Sequence, residues 1–393
     1  MTVKLYYTSP SITSWKTTIT SSQKDGDTYI VTLEETAFYP EGGGQPSDCG
    51  TIEAIPVMDV FEENGEVYHR LSALPASSSV HCEIDAQRRW DHTQQHSGQH
   101  LLSAVCIELL DAHTKSFHLG RDIVSIDLDI PALSEQQLLA IEDQANMLIY
   151  NNIPIKTYYV SQEEAKKLPF RKLPELDGDI RVVEIQGIDI SACCGTHVSR
   201  TGEIGIIKLL KTEKHRGMTR LFFKCGRRAL DDYQTSHRLL TSLSQHFGAH
   251  REMLANVLYK LEADNKEYQK QLQHMKQMMA RIEAEGIVQE ANDSSIVFRI
   301  YEDLPSKDLQ IIASEVVTHY QKTAILATKA ESRLIIVKSP SHSFHAGNVL
   351  KQQLEATNGK GGGNDRQAQA VFSTNDELIS FIQQLQNGLS THT

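Results

Sequence analysis

The chain has 393 residues, 39 Lys and Arg against 50 Asp and Glu, and a formal net charge of −11. A composition 40% apolar and 23% charged excludes collagen-like, disordered and membrane classes, and the length predicts two to four domains. A charge of −11 argues at first sight against nucleic acid, because polyanions are held by Lys and Arg.

Residues 1–88 read as short strands, such as Tyr29–Leu33 and Val80–Ile84, punctuated by Asp25-Gly26-Asp27 and Asn64-Gly65. Closely spaced strands of this kind predict a small β-barrel. The opening MTVKLYYTSPSITSW lacks a basic region followed by an apolar one, so no leader is expected.

Residues 89–235 read as an α+β domain. A helix is expected from about 92 to 110, then a strand near 123–130 and a helix opened by Ser134-x-x-Gln137, a capping-box pattern. Ser161-x-x-Glu164 repeats that signal, and strands follow at 181–185, 204–210 and 219–224.

Residues 236–292 turn helical. Leu254, Leu258, Leu261, Asn265, Tyr268, Leu272, Met275, Met279 and Ile282 recur at alternating steps of four and three, a heptad seam with one polar position. An inter-chain or hairpin coiled coil is expected, with a homodimer as the simplest assembly. Residues 293–393 read as α/β, with strands at 295–300, 323–327 and 333–337 and helices at 306–320, 347–354 and 375–385. The stretch GKGGGNDRQAQA from Gly359 reads on its own as a flexible loop entering a helix.

The chemistry concentrates in two places. DHTQQHSGQHLL puts His92, His96 and His100 at intervals of four, so on a helix they share one face. Some ninety residues on, ACCGTHV repeats the interval with Cys193 and His197. Two such pairs make a tetrahedral set of borderline-soft ligands suited to Zn2+. His92, at the helix start beside Asp91, stands as a supporting or surface residue. Six Cys are too few for a disulfide framework, and the adjacent Cys193-Cys194 suits a reducing cytoplasm. No apolar run approaches the roughly 18–20 residues of a bilayer span, so no membrane partner is expected.

Charge is also uneven. Residues 1–90 carry 6 cations and 13 anions, whereas 208–228 holds eight cations, Lys208, Lys211, Lys214, Arg216, Arg220, Lys224, Arg227 and Arg228, against Glu213 alone. The stripe reads either as a solvated hairpin face or as a phosphate-contacting patch beside the metal motif.

HSGQHLL, CCGTH, the stretch Thr36-x-Phe38-Tyr39-Pro40-Glu41-Gly42-Gly43-Gly44-Gln45 and SFHLG at 116–120 closely resemble the AlaX proteins, stand-alone relatives of the editing domain of alanyl-tRNA synthetase. GGGNDRQAQA at 361–370 resembles the signature of the C-terminal tRNA-recruiting domain of the long AlaX form. The resemblance implies a trans-editing hydrolase that deacylates tRNA(Ala) mischarged with Ser or Gly, with zinc on His96, His100, Cys193 and His197. Cys194 stands where the family usually has Gly, which leaves it open as an alternative ligand.

Catalytic candidates beside the metal are Gln45, Ser116 and His118. Substrate-binding candidates are Thr36, Gly43, Lys214, Arg216 and Arg220. A synthetase pocket cannot strongly reject an isostere that only adds a hydroxyl, so a second site that bonds this hydroxyl supplies discrimination. Zinc would activate a water or hold the substrate amine. A zinc-stabilised RNA adaptor without catalysis and a zinc hydrolase for another ester remain as alternatives.

Overall fold

The first strands pair edge to edge until they close on themselves. In this computed structural model, which describes residues 1–171, 178–355 and 357–390, the contacts divide the chain into Met1–Ser242 and Leu243–Thr393. In the first unit β1 (Val3–Lys4) and the single turn α1 (Leu5–Thr8) precede β2 (Ser14–Asp25) and β3 (Thr28–Leu33), and β1 pairs in parallel with β4 (Glu35–Thr36). Then come β5 (Gly50–Ile52), β6 (Ile55–Glu63), β7 (Glu66–Leu71) and β8 (Ser79–Ile84). Six strands form a closed antiparallel barrel in the order β2-β3-β7-β6-β5-β8. Every second residue of β7 is buried, and Val67 and Leu71 join Val31, Leu33, Ile52 and Val80 in the interior. Asn64 and Gly65 both take positive φ, +52° and +82°, as a two-residue hairpin turn requires.

α2 (Ala86–Leu110) starts on Asp85, whose carboxylate accepts the N–H groups of Gln87 and Arg88. Its middle, from His92 to Cys106, is buried on all sides, so its polar residues must find partners. A buried Arg89–Asp48 pair fastens its first turn to the barrel, with Arg89 also donating to the Pro10 and Ala37 carbonyls. β9 (Thr114–Leu119), β10 (Val124–Leu128), β14 (Ile207–His215) and β15 (Met218–Cys225) form one sheet in the order β14-β15-β10-β9. β11 (Ile155–Val160), β12 (Ile180–Ile185) and β13 (Asp189–Ala192) form a second. α3 (Glu135–Tyr150) and the single turn α4 (Gln162–Ala165) both begin with complete capping boxes, at Ser134/Gln137 and Ser161/Glu164. Leu101, Leu102, Val105, Ile126, Ile141 and Phe223 lie in the core between these elements.

α5 (Gly226–Phe247) leads to the boundary of the first unit, and α6 (Leu254–Glu290) is one continuous 37-residue helix of the second. There a five-stranded sheet runs β16 (Ile296–Tyr301), β17 (Thr323–Thr328), β18 (Arg333–Val337), β20 (Gln367–Val371), β19 (Lys360–Gly363), with only β16–β17 parallel. One face packs on α7 (Ser306–Tyr320) and the last turns of α6 through Ala280, Ala284 and Ile287. The other is covered by α8 (Ala346–Leu354) and α9 (Asn375–Ser390). Covered on both faces, β17 is buried along its whole length.

Two expectations change. The Gly-rich stretch is a β-hairpin rather than a loop entering a helix, turning where Asn364 Oδ1 accepts the N–H groups of Arg366 and Gln367. A Cβ at Gly363 would stand 2.2 Å from the Gln367 carbonyl, and one at Gly347 would stand 2.6 Å from that of Gly363. Close packing of α8 on the hairpin, not flexibility, uses these glycines. Among the described residues no second helix covers these positions of the α6 heptad seam: Leu258, Leu261, Leu272, Met275, Met279 and Ile282 are 47–70% exposed.

Candidate metal centre

α2 sets His96 and His100 one turn apart, and the segment after β13 carries Cys193 and His197 back onto them. The four ligand atoms all lie within 4.8 Å of one another. Cys193 Sγ is 3.4 Å from both His96 Nε2 and His197 Nε2. Bonds of about 2.1 Å to nitrogen and 2.3 Å to sulfur give a tetrahedron with edges of about 3.6 Å, so this donor set fits zinc.

Each imidazole is also held from behind. His96 Nδ1 meets Gln45 Oε1 at 2.9 Å, His197 Nδ1 meets Ser97 Oγ at 3.2 Å, and His100 Nδ1 lies 3.6 Å from Asp189 Oδ2. Such partners fix ring orientation and tautomer in metal sites. Arg171 binds Asp189 in turn, at 2.6 Å. Gly195 is obligatory here, since a Cβ would sit 2.2 Å from His96 Cε1. Burial alone would push the Cys193 thiol up, but the imidazoles of His96, His197 and His100 outweigh it and hold the thiol well below its ordinary value. Burial takes His197 down to about 3, whereas Cys193 and Asp189 overcome burial at His100 and raise it. The cluster therefore favours a Cys193 thiolate with the proton held on His100, which a binding divalent cation would displace.

Gln45 belongs to this cluster as a support. Its Nε2 donates to Thr196 Oγ1 (3.0 Å), while its Oε1 faces His96 and accepts from the Thr196 N–H (3.2 Å). Beside the ligands is a cavity of about 380 Å3, lined by Gly43, Gln99, Phe117, Arg181 and Cys194 among others. Gly43 is therefore at the site. Cys194 is exposed and outside the four-ligand cluster.

Ser116 and His118 are not beside the ligands. Successive residues of a strand face opposite ways, and it is Phe117 whose ring lies 5.2 Å from that of His96. The Ser116 hydroxyl instead donates to Asp127, and His118 is exposed. Thr36 is buried, with Oγ1 2.9 Å from Nε2 of the barrel residue His69. His92 is buried with Nδ1 unpaired, outside the cluster.

The basic stripe is mostly neutralised. Lys208 pairs with Glu142, Lys211 with Glu213, Lys224 with Asp232, Arg227 with Asp231 and Arg228 with Asp91. Arg220 forks onto Asp127 at 2.7 and 2.9 Å, holding that carboxyl at about 2. Among the described residues Lys214 and Arg216, at the β14–β15 turn, make no ion pair.

Sequence reasoning did not single out Gln99, Phe117 or Arg181. Arg181 donates through NH1 to the carbonyls of Cys193 (2.7 Å) and Gly195 (3.0 Å), which fixes the ligand loop. Strand alternation sets Phe117 on the face opposite Ser116 and His118, a signal that could have found it, and Gln99 lies one residue from His100; for Arg181 the sequence carries no signal.

An α+β protein with a closed barrel joined to a buried His3Cys donor set and an adjoining cavity defines a metal-site class. Residues 180–222 match the threonyl and alanyl tRNA synthetase second additional domain, and residues 292–391 match the DHHA1 domain. The chain is 32% identical over 343 residues to alanyl-tRNA editing protein Aarsd1 of Danio rerio, covering 85% of this chain and 82% of that protein. It is 33% identical to the Mus musculus protein of that name with the same coverage, and 29% identical to alanyl-tRNA editing protein AlaX-L of Pyrococcus horikoshii over 96% of each. The chain belongs to the alanyl-tRNA editing protein family.

Proposed function

We propose that this chain is a trans-editing aminoacyl-tRNA deacylase that hydrolyses the ester of tRNA(Ala) mischarged with serine, at a zinc site formed by His96, His100, Cys193 and His197, with Gly-tRNA(Ala) as a second substrate to be tested. The convergence of these four donors within 4.8 Å, beside a cavity of about 380 Å3, carries the reading. Zinc bound there would supply Lewis-acid polarisation and a fixed positive charge. Gln45, Ser97 and Asp189 hold the three imidazoles, and Arg181 holds the Cys193–Gly195 backbone. Gly43 has positive φ and open space where a Cβ would stand, leaving that wall free for a substrate backbone. Gln99 commits its Nε2 to Ser103 Oγ, so its carbonyl is the acceptor for a substrate hydroxyl that alanine lacks.

Lys214 and Arg216 contact tRNA phosphates in this reading, and the protein acts in the cytoplasm. Among the described residues no helix is long and apolar enough to cross a membrane. Residues 1–88 and 89–235 form the barrel and editing parts, 236–292 the helical linker and 293–393 a recruiting part. The exposed seam of α6 supports a homodimer through a coiled coil, which sedimentation of the full chain and of a Leu272→Asp variant tests.

The decisive measurement is deacylation of Ser-, Gly- and Ala-tRNA(Ala) with and without chelator. Hydrolysis of Ser-tRNA(Ala) that survives both His96→Ala and Cys193→Ala refutes the zinc-site reading. A second reading has its own support: four protein donors fill a tetrahedral shell, as structural zinc sites do. A metal-bracing adaptor would bind tRNA tightly and hydrolyse no aminoacyl-tRNA.

A further inference from the structure

The metal cavity is not the largest concavity of the first unit. A groove of about 1230 Å3 lies between the start of α2 and the start of α5. Its apolar surface is Trp90, Ile206 and Leu230, which are 38–45% exposed. Arg121 and Arg227 also line it; Arg227 shares Asp231 at a largely exposed pair, and Arg121 makes no ion pair among the described residues. Asp91 is closed off by Arg228 at 2.6 Å. His92 lines the same groove, is 3% exposed, and its Nδ1 has no hydrogen-bond partner.

We propose that this groove is an RNA-docking surface, taking an unpaired base of the tRNA on Trp90 and its flanking phosphates on Arg121 and Arg227. The inference rests on the tRNA reading above. An exposed indole beside guanidinium groups is a stacking platform for single-stranded nucleic acid, where base–aromatic stacking is sequence-tolerant and arginine forks match phosphate oxygens. The groove exceeds the roughly 300–1,000 Å3 typical of small-molecule pockets. An acidic peptide would satisfy the arginines but would leave the exposed indole of Trp90 without a stacking partner. Burial lowers His92 to about 4, so it enters the groove neutral, able to bond a ribose hydroxyl. His92 precedes His96 by four residues, about 6 Å of helix rise, so groove and metal cluster are neighbours along α2.

The sequence holds two tryptophans. Trp15 packs edge-on against Phe38 with its N–H on the Glu35 carbonyl, so Trp90 is the exposed reporter. Titrating the full chain with uncharged tRNA(Ala) should quench fluorescence, and the quench should vanish in Trp90→Phe while binding persists. Trp90→Ala should weaken Kd about 5- to 150-fold, and Arg121→Glu should weaken it and lower the salt slope by about 1. Unchanged metal content and circular dichroism report an intact fold in either variant. Wild-type affinity in both variants overturns the proposal and points to a protein partner for the groove. A wild-type chain that binds no tRNA at all overturns the substrate reading instead.

Discussion

Gln45→Ala is the sharpest test of the centre's construction. Gln45 is fully buried and comes from the glycine-rich segment, 51 residues before His96, and its Oε1 serves both the ring nitrogen of His96 (2.9 Å) and the Thr196 N–H (3.2 Å). Truncation removes both bonds and leaves two buried donors without an acceptor, at about 1–3 kcal/mol each. Loss of such a support typically lowers metal affinity about 10- to 100-fold, or about 1.4–2.7 kcal/mol. Gln45→Glu keeps the acceptor toward His96 while losing the donor to Thr196. The expected order of zinc affinity, read by competition with a chromophoric chelator, is therefore wild type and Gln45→Glu together, with Gln45→Ala at least tenfold weaker. Thermal unfolding at saturating zinc separates the metal effect from lost stability. Equal affinities for all three proteins would refute a supporting role for Gln45.

Gly195→Ala places a methyl 2.2 Å from His96 Cε1, so zinc content by mass spectrometry should fall well below one per chain while circular dichroism stays unchanged. His69, fully buried, has its pKa lowered by burial to about 4. The unfolded chain takes up that proton near 6.5 and the folded one only near 4, so stability is lost as pH falls across that window, by up to about 3 kcal/mol; urea unfolding should show the loss flattened in His69→Gln. Asp48→Ala strands the buried Arg89 guanidinium and should cost about 3–5 kcal/mol in urea unfolding, part of which the double variant with Arg89→Met recovers.

The parts of the centre legible in the sequence are those set by local periodicity. A four-residue interval on a helix fixes that His96 and His100 share a face, whatever the rest of the chain does. The capping boxes at Ser134 and Ser161 are local in the same sense, and both form. Gln45 is a catalytic candidate by sequence, but the bonds it makes to His96 and Thr196 are not legible there, because those partners lie 51 and 151 residues away. Ser116 and His118 failed through strand parity: the motif was at the site, but Phe117 faces it. The glycine hairpin misled because low strand propensity does not register a tertiary requirement for close approach between α8 and β19.

Charge is neutralised non-locally in the same way, with a measurable consequence for salt dependence. Glu142, Asp127 and Asp91 lie 66, 93 and 137 residues from the cations they bind, so a count over 208–228 misses them. A cation already paired releases little counterion on meeting a phosphate, whereas a free one contributes nearly a full unit to the salt dependence. Eight free cations would give a slope of roughly −6 to −7 in log affinity against log salt, whereas Lys214 and Arg216 alone give roughly −2, with about −1 more from each groove arginine that reaches a phosphate. Lys214→Gln with Arg216→Gln should therefore reduce the slope for tRNA binding by about 2. Lys208→Gln with Lys211→Gln, which removes as much charge from the same hairpin, should leave it nearly unchanged, since Glu142 and Glu213 already hold those ammonium groups. Equal effects from the two pairs would mean that tRNA pulls the lysines off their carboxylates, and that net charge along the hairpin, not pairing, governs how the RNA is held.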